Sequence, residues 1–375
     1  SKIKDKSFIF NRLPKGQKVQ MNFLGLIAFV WISLSATTIS AAAVKLVNTR
    51  AEYKANPIGI DVLHPRLSWE ATTDARNILQ TAYEIKAALS EADLQAGKNL
   101  IWTTGKINSG QSNQVKYAGK ELASGQRVFW QVRVWSNNDN GSPWSDIAFW
   151  EMGLLNASDW KAPWIEPAVN VDTGKSSPSP YLRREFELTK NVKKAQLYIT
   201  SHGLYECHIN GKKTGDQLLT PGWTSYNKRL QYQVYDVTAS LKKGKNAIGA
   251  VLGDGWYSGY LVWKGNRNAY GKKLGLLAQL TITYDDGTQE TVSTDSQWKS
   301  TTGPILESDI YNGEIYDARM ELKGWDNPGY DEKNWKGVVV LNEDKKNLVA
   351  SAGPPVKAIQ EIKPIKILYT PQGDT

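Results

Sequence analysis

A chain of 375 residues with a formal net charge of +9, one cysteine, 41% hydrophobic and 22% charged residues has room for two or three domains with apolar cores. That balance excludes intrinsic disorder, collagen and a coiled coil as the organising theme. The charge is no nucleic-acid footprint either, because residues 1–43 hold six bases against one acid, and the remaining 40 bases and 36 acids leave only +4, scattered along the chain. Fifteen Trp and seventeen Tyr against seven Phe suit β-sheets and half-wet aromatic faces, including faces that stack on sugar rings, and composition does not choose between these uses.

In chain order, Lys15 and Lys18 precede an apolar run at 23–34 and a small-residue end at 35–43. This pattern predicts a secretory signal peptide over 21–43, with Met21 as its start and 1–20 as an upstream extension. The run falls short of the roughly 20 apolar residues that a membrane span needs. The mature chain is then expected to begin near Ala42 or Val44, secreted or periplasmic, with no membrane partner after cleavage. The lone Cys207 lies in an apolar stretch and reads as a small core residue.

From 44 to 153 the segments 66–70, 82–87 and 128–135 alternate apolar with polar residues, the period of strands with one buried face. A short helix is expected at 90–96. The run from Phe129 to Trp135, followed by Gly141-Ser142-Pro143-Trp144-Ser145, is similar to the late strands of fibronectin type III modules. Trp69, Trp130 and Trp144 then read as packing residues rather than ligand platforms. Residues 154–180, with Pro163, Pro167, Pro178 and Pro180, read as a linker.

A second β-rich region covers 181–345, with strands expected at 182–188, 194–200, 205–209, 230–236, 246–252, 276–284 and 289–293. Asn210-Gly211-Lys212 and Asp285-Asp286-Gly287-Thr288 are hairpin signals, since these residues accept positive φ. So many short strands suit a jelly roll better than a second immunoglobulin module. Residues 346–375 read as the start of a further, truncated β domain. The fold class is therefore all-β: a fibronectin III/immunoglobulin-like sandwich followed by a β jelly-roll domain.

No Gly-rich phosphate loop, nucleophile elbow, HExxH helix or paired-cysteine metal site occurs. His64, His202 and His208 read as core or surface histidines. Carboxylates stay available for glycoside chemistry, which needs only two of them facing each other across a bond.

Five motifs follow in order: Asn210-Gly211-Lys212 within 205–212, Pro221-Gly222-Trp223 within 219–229, Tyr235-Asp236-Val237 within 232–238, Gly253-Asp254-Gly255-Trp256-Tyr257, and Glu314-Ile315-Tyr316-Asp317-Ala318-Arg319 within 303–319. Together they resemble the amino-terminal domain of bacterial α-L-rhamnosidases. The resemblance implies a jelly roll ahead of an (α/α)6 barrel that carries the catalytic carboxylates. It makes this chain the non-catalytic, carbohydrate-recognising front of a secreted hydrolase, with a rhamnose-containing glycan as partner, no catalytic residue of its own and no nucleic acid bound. No cofactor is implied as required, and calcium is the candidate ion. The alternative is a stand-alone secreted carbohydrate-binding β-protein.

Three groups are candidates for holding sugar. Asp254, Trp256 and Tyr257 put an acid and two rings on a glycine-flanked turn, with a turn-capping Asp and a core Trp as the structural alternative. Glu314, Asp317 and Arg319 offer carboxylates and a guanidinium for hydroxyls, or a buried ion pair that pins the loop. Trp223, Tyr226 and Asn227 lie on a Pro-Gly loop, where packing is the competing use.

Overall fold

The computed structural model describes residues 44–373 apart from 139–140, 170–171, 173 and 262–264. The signal peptide expected over 21–43 and the extension before it lie outside the described residues.

The first domain packs two sheets face to face. One is three-stranded, in the order Lys45–Ala51, Arg66–Thr72, Val115–Lys116; the other is five-stranded, in the order Ile58–Ile60, Ala148–Met152, Arg127–Ser136, Gln80–Ala88, Trp102–Thr103. The central strand Arg127–Ser136 alternates strictly between half-buried and buried positions, so Val128, Trp130, Val132 and Val134 enter the core beside Leu67, Trp69, Ile85 and Trp150. Trp144 packs at the edge, with the Lys86 ammonium and the Arg133 guanidinium over its ring. All three tryptophans assigned to packing are used that way. The short helix forms as Glu91–Ala96: Ser90 caps it by accepting from the Asp93 amide, and Gly97 ends it at φ 64°.

The second domain is a jelly-roll sandwich of one small and one large sheet. The small sheet runs in the order Lys212–Lys213, Leu204–Ile209, Gly244–Gly253, Pro180–Leu188, Lys299–Thr302. The large one runs Val338–Leu341, Trp164–Pro167, Gly275–Tyr284, Val192–His202, Leu230–Asp236, Leu348–Ala350, with Gln289–Ser293 also paired to Gly275–Tyr284. Leu182, Leu197, Ile199, Leu252, Leu280 and Ile282 fill the space between, and Cys207 is buried with them as a free thiol. Both hairpin signals hold: Asn210 and Gly211 take φ of 51° and 81°, and Gly287 takes 81°.

Two of the expected boundaries shift. Part of 154–180 is no linker, because Trp164–Pro167 pairs with Val338–Leu341 and, through Ile165, with Leu276, while Trp160 and Ala162 are buried in an aromatic cluster. Four residues bracketed by prolines show no period, so their pairing was invisible in the sequence. Likewise the first part of 346–375 belongs to the jelly roll. Leu348–Ala350 runs parallel to Leu230–Tyr232 as the edge strand of the large sheet, and Val356–Lys357 pairs with Gln217–Leu218.

The two domains meet along a polar and close-packed seam. The buried Glu151 carboxylate accepts from Arg127 Nε in its own domain and from Lys194 Nζ in the other, each at 2.8 Å. Asp61 Oδ2 accepts from the Ala350 amide at 2.8 Å, and Lys54 Nζ donates to the Ser351 carbonyl. Gly59 sits at φ 77°, where a Cβ would overlap the Val234 side chain.

Candidate functional site

The candidate residues fall into three places. The first is an aromatic face. Gly255–Ser258 is a single helical turn that begins with Gly255 at φ 52°, where any Cβ would press on Leu204. The turn presents Trp256 to Trp223, and the two indoles lie parallel, with centroids 5.7 Å apart and planes at 7°, the offset-stacked arrangement aromatic pairs prefer. Trp223 is 54% exposed, and its Nε1 donates to the Tyr270 hydroxyl at 3.2 Å.

Behind this face the packing is tight. Tyr226 is buried, donates to the Gly222 carbonyl, and meets Tyr257 and Tyr270 edge-on. Tyr257 stacks on His202 at 4.8 Å, and His202 stacks in turn on Trp164 at 4.0 Å. Burial lowers the His202 pKa to about 4, so at neutral pH the middle ring of this stack carries no charge. Asn227 is exposed beside the cluster. Trp223 and Trp256 thus hold the accessible rings, while Tyr226 and Tyr257 support them from within.

Asp254 faces elsewhere. Its Oδ2 accepts from Arg267 Nη2 and from Ser176 Oγ, each at 2.9 Å, and Oδ1 accepts from Ser258 Oγ. Burial raises its pKa and the Arg267 charge opposes that rise. The carboxylate therefore neither caps the turn with a backbone hydrogen bond nor shares the aromatic face. It lines a cavity of about 330 Å³ whose walls also include Arg267, Lys272, Lys273 and Glu166.

Glu314 lies in the second strand of the hairpin Ile305–Asp309 and Gly313–Tyr316, opposite Ser308, and Asp317 and Arg319 follow that strand. Asp317 binds Arg319 through both oxygens, at 2.8 and 2.6 Å, and accepts from the Arg319 amide. The Arg319 side chain is almost wholly exposed, so this pair is a local surface clasp and not a buried pin; the arginine holds the Asp317 pKa down. Glu314 is apart from it and lines a second cavity of about 360 Å³ with Tyr181, Glu206, His208 and Trp325.

Sequence reasoning passed over several of these groups. His208 bridges Asp326 at 2.8 Å and Glu206 at 3.0 Å, and the two carboxylates raise its pKa against the effect of burial. Glu206 and His208 share a strand face by simple alternation, a signal present in the sequence. Arg267 sits in a loop without any period. Among the described residues no group of three His, Cys, Asp or Glu side chains is placed to hold a metal. None of the described helices is long and apolar enough to cross a membrane.

Comparison with known proteins follows the same two-domain division. Residues 46–156 match the family model described as Rha78A-like, N-terminal immunoglobulin domain, and residues 190–360 match that of the alpha-L-rhamnosidase N-terminal domain. An alpha-L-rhamnosidase of Formosa agariphila is 40% identical over 290 residues, covering 76% of this chain and 31% of the relative. The crystal structure of the Aspergillus terreus enzyme superposes with a TM-score of 0.82 at 36% identity, over 88% of this chain and 38% of that one. That of the Streptomyces avermitilis enzyme, solved in complex with L-rhamnose, gives 0.79 at 28% identity, over 85% and 47%. The chain spans between 31% and 48% of the length of the curated relatives it matches.

Proposed function

Starting from a chain that carries the immunoglobulin-like and jelly-roll N-terminal domains of the α-L-rhamnosidase family, we propose that it is the exported, non-catalytic portion of such an enzyme and that its jelly roll holds a rhamnose-bearing glycan. The observation that carries the reading is the parallel pair of Trp223 and Trp256 at the surface. A flat, half-exposed indole backed by a second ring presents an apolar plane to the C–H face of a sugar, and the fixed ring loses little rotamer freedom on binding. Tyr270, whose hydroxyl accepts from Trp223, holds the outer ring in place. The likeness to an enzyme solved with L-rhamnose makes that sugar the first ligand to try.

The test is calorimetric titration of the chain with L-rhamnose. Trp223→Ala is expected to weaken binding about tenfold, since a ring contact of about 1 to 1.5 kcal/mol is lost, with the melting temperature held because the ring is half in solvent. An unchanged affinity in the folded variant removes this face from the reading. The chain is also expected to leave an aryl α-L-rhamnoside unhydrolysed. Turnover that vanishes when a single carboxylate is neutralised overturns the non-catalytic assignment.

A further inference from the structure

The cavity of about 360 Å³ beside Glu314 has the size of a small-ligand pocket. Neither Trp223 nor Trp256 lines it, so it is separate from the tryptophan face. Its floor is the small sheet: Tyr181, Val251 and Glu206 stand side by side on three neighbouring strands, while their sequence neighbours Leu182, Ala250 and Cys207 point the other way, into the core. Trp325 forms one wall. Gly249 leaves room for its indole, which a Cβ would overlap, the Trp325 carbonyl accepts from the buried Arg183 at 2.7 Å, and Tyr181 meets the ring edge-on at 5.1 Å.

Three hydroxyls and one carboxylate on this wall are uncommitted. Ser179 is 2% exposed and Tyr181 7%, yet neither hydroxyl bonds to another described residue, and neither is sealed from solvent. Both therefore open on the cavity that they line. Ser308 Oγ is likewise unbonded, and Glu314, opposite Ser308 in the hairpin, makes no ion pair or hydrogen bond among the described residues. Burial first, and then the neighbouring Tyr316, Glu314 and Glu206, push the Tyr181 pKa up to about 12, so the hydroxyl keeps its proton. The basic side chain on the wall, His208, is already held by Asp326 and Glu206 through its two ring nitrogens.

These groups select a ligand by what they exchange. A hydroxyl both donates and accepts, whereas a carboxylate only accepts. An anion would meet Glu206 and Glu314 with no free cation lining the cavity. An ammonium would only donate, and would leave the Ser179 and Tyr181 protons unmatched. A ring bearing several hydroxyls answers both needs, and its C–H faces suit the apolar wall of Leu204, Val251 and Trp325.

We propose that this cavity binds one neutral sugar ring, with Ser179 and Tyr181 donating to its hydroxyls and Glu314 accepting from one of them. The inference rests on the cavity's own groups and not on the tryptophan face.

The test is calorimetric titration of the Trp223→Ala chain, which lacks the other face, with L-rhamnose, D-galactose and D-glucose, and with D-glucuronate and D-glucosamine as charged analogues. At least one neutral sugar is expected to bind saturably, and neither charged analogue more tightly. Added Tyr181→Phe should weaken that sugar about three- to tenfold, the loss of one hydrogen bond, and Glu314→Ala about tenfold, the loss of one to a charged group. Because the Tyr181 hydroxyl bonds to nothing in the free chain, Tyr181→Phe should leave the melting temperature in place, which separates a binding role from a structural one. Glu314 is exposed, so its variant carries the same readout if Tyr181→Phe melts early. Tighter binding of a charged analogue, no saturable binding of any neutral sugar by Trp223→Ala, or an affinity that both substitutions leave unaltered overturns the proposal. Binding by the unsubstituted chain that Trp223→Ala abolishes would overturn this site and uphold the tryptophan face.

Discussion

Lys194 in the jelly roll donates to Glu151 in the immunoglobulin-like domain at 2.8 Å, and that carboxylate has no exposed surface at all. Arg127, on the strand beside it, donates to the same oxygen, Oε2. A charge so placed is tolerable only while its partners stay, since its removal from water is offset by the two cations around it. The ion pair therefore ties the placement of one domain to the other.

Glu151→Ala should accordingly lower the unfolding free energy by about 3 kcal/mol, the size measured when one member of a buried pair is removed. Lys194→Met should cost much less, because Arg127 remains and the methionine stem keeps the packing. Chemical denaturation of both variants checks this, and equal losses would contradict it.

Gly59 faces Val234 across the same seam at φ 77°. Gly59→Ala should cost about 2 to 4 kcal/mol, from the left-handed backbone and the overlap with the valine together. Adding Val234→Ala should return the overlap part and leave the backbone part. A double variant no better than the single would locate the whole cost in the backbone.

The two titrating histidines of the jelly roll should pull stability in opposite directions with pH. His202, with a folded pKa lowered to about 4 against about 6.5 unfolded, stays neutral while the unfolded chain binds a proton. Stability is therefore lost as pH falls from about 6.5 towards 4, by an amount on the order of 3 kcal/mol. His208 is raised instead, so its contribution is full below the unfolded value and fades as pH rises through the folded one. His202→Phe should flatten the acid limb of the melting-temperature profile, and His208→Gln should remove the gain in stability made above that limb, as pH falls towards about 6.5. An acid limb unchanged in His202→Phe would contradict the first assignment.

Export is tested at the amino terminus. Mass spectrometry of the secreted protein is expected to find a first residue between Ala42 and Lys45, and a mature chain that keeps 23–34 would contradict cleavage.

Long strands with a period were legible in the sequence. Leu230–Asp236 and Gln289–Ser293 fall where alternation placed them, and Cys207 packs as a small apolar group. What escaped was pairing without pattern. Trp164–Pro167 and Leu348–Ala350 are too short to show a period, and their partners lie over a hundred residues away. The candidate site was legible in part, because glycines around Asp254 announced a turn, but neighbours in sequence were taken for neighbours in space. A helical turn sends Asp254 to a polar cavity and Trp256 to an aromatic face. The ring that completes that face, Trp223, comes from another loop, and Arg267 reaches Asp254 from a third.

The edge strand Leu348–Ala350 lies parallel to Leu230–Tyr232, and its last residue and the next one bond to Asp61 and Lys54 of the first domain. A tensile load applied along this strand from its carboxyl side would be borne in shear, by all of its rungs together, instead of peeling them apart singly. The same three or four residues would then act as a mechanical stop, passing strain into the seam between both domains at once and shielding the sandwich cores behind it.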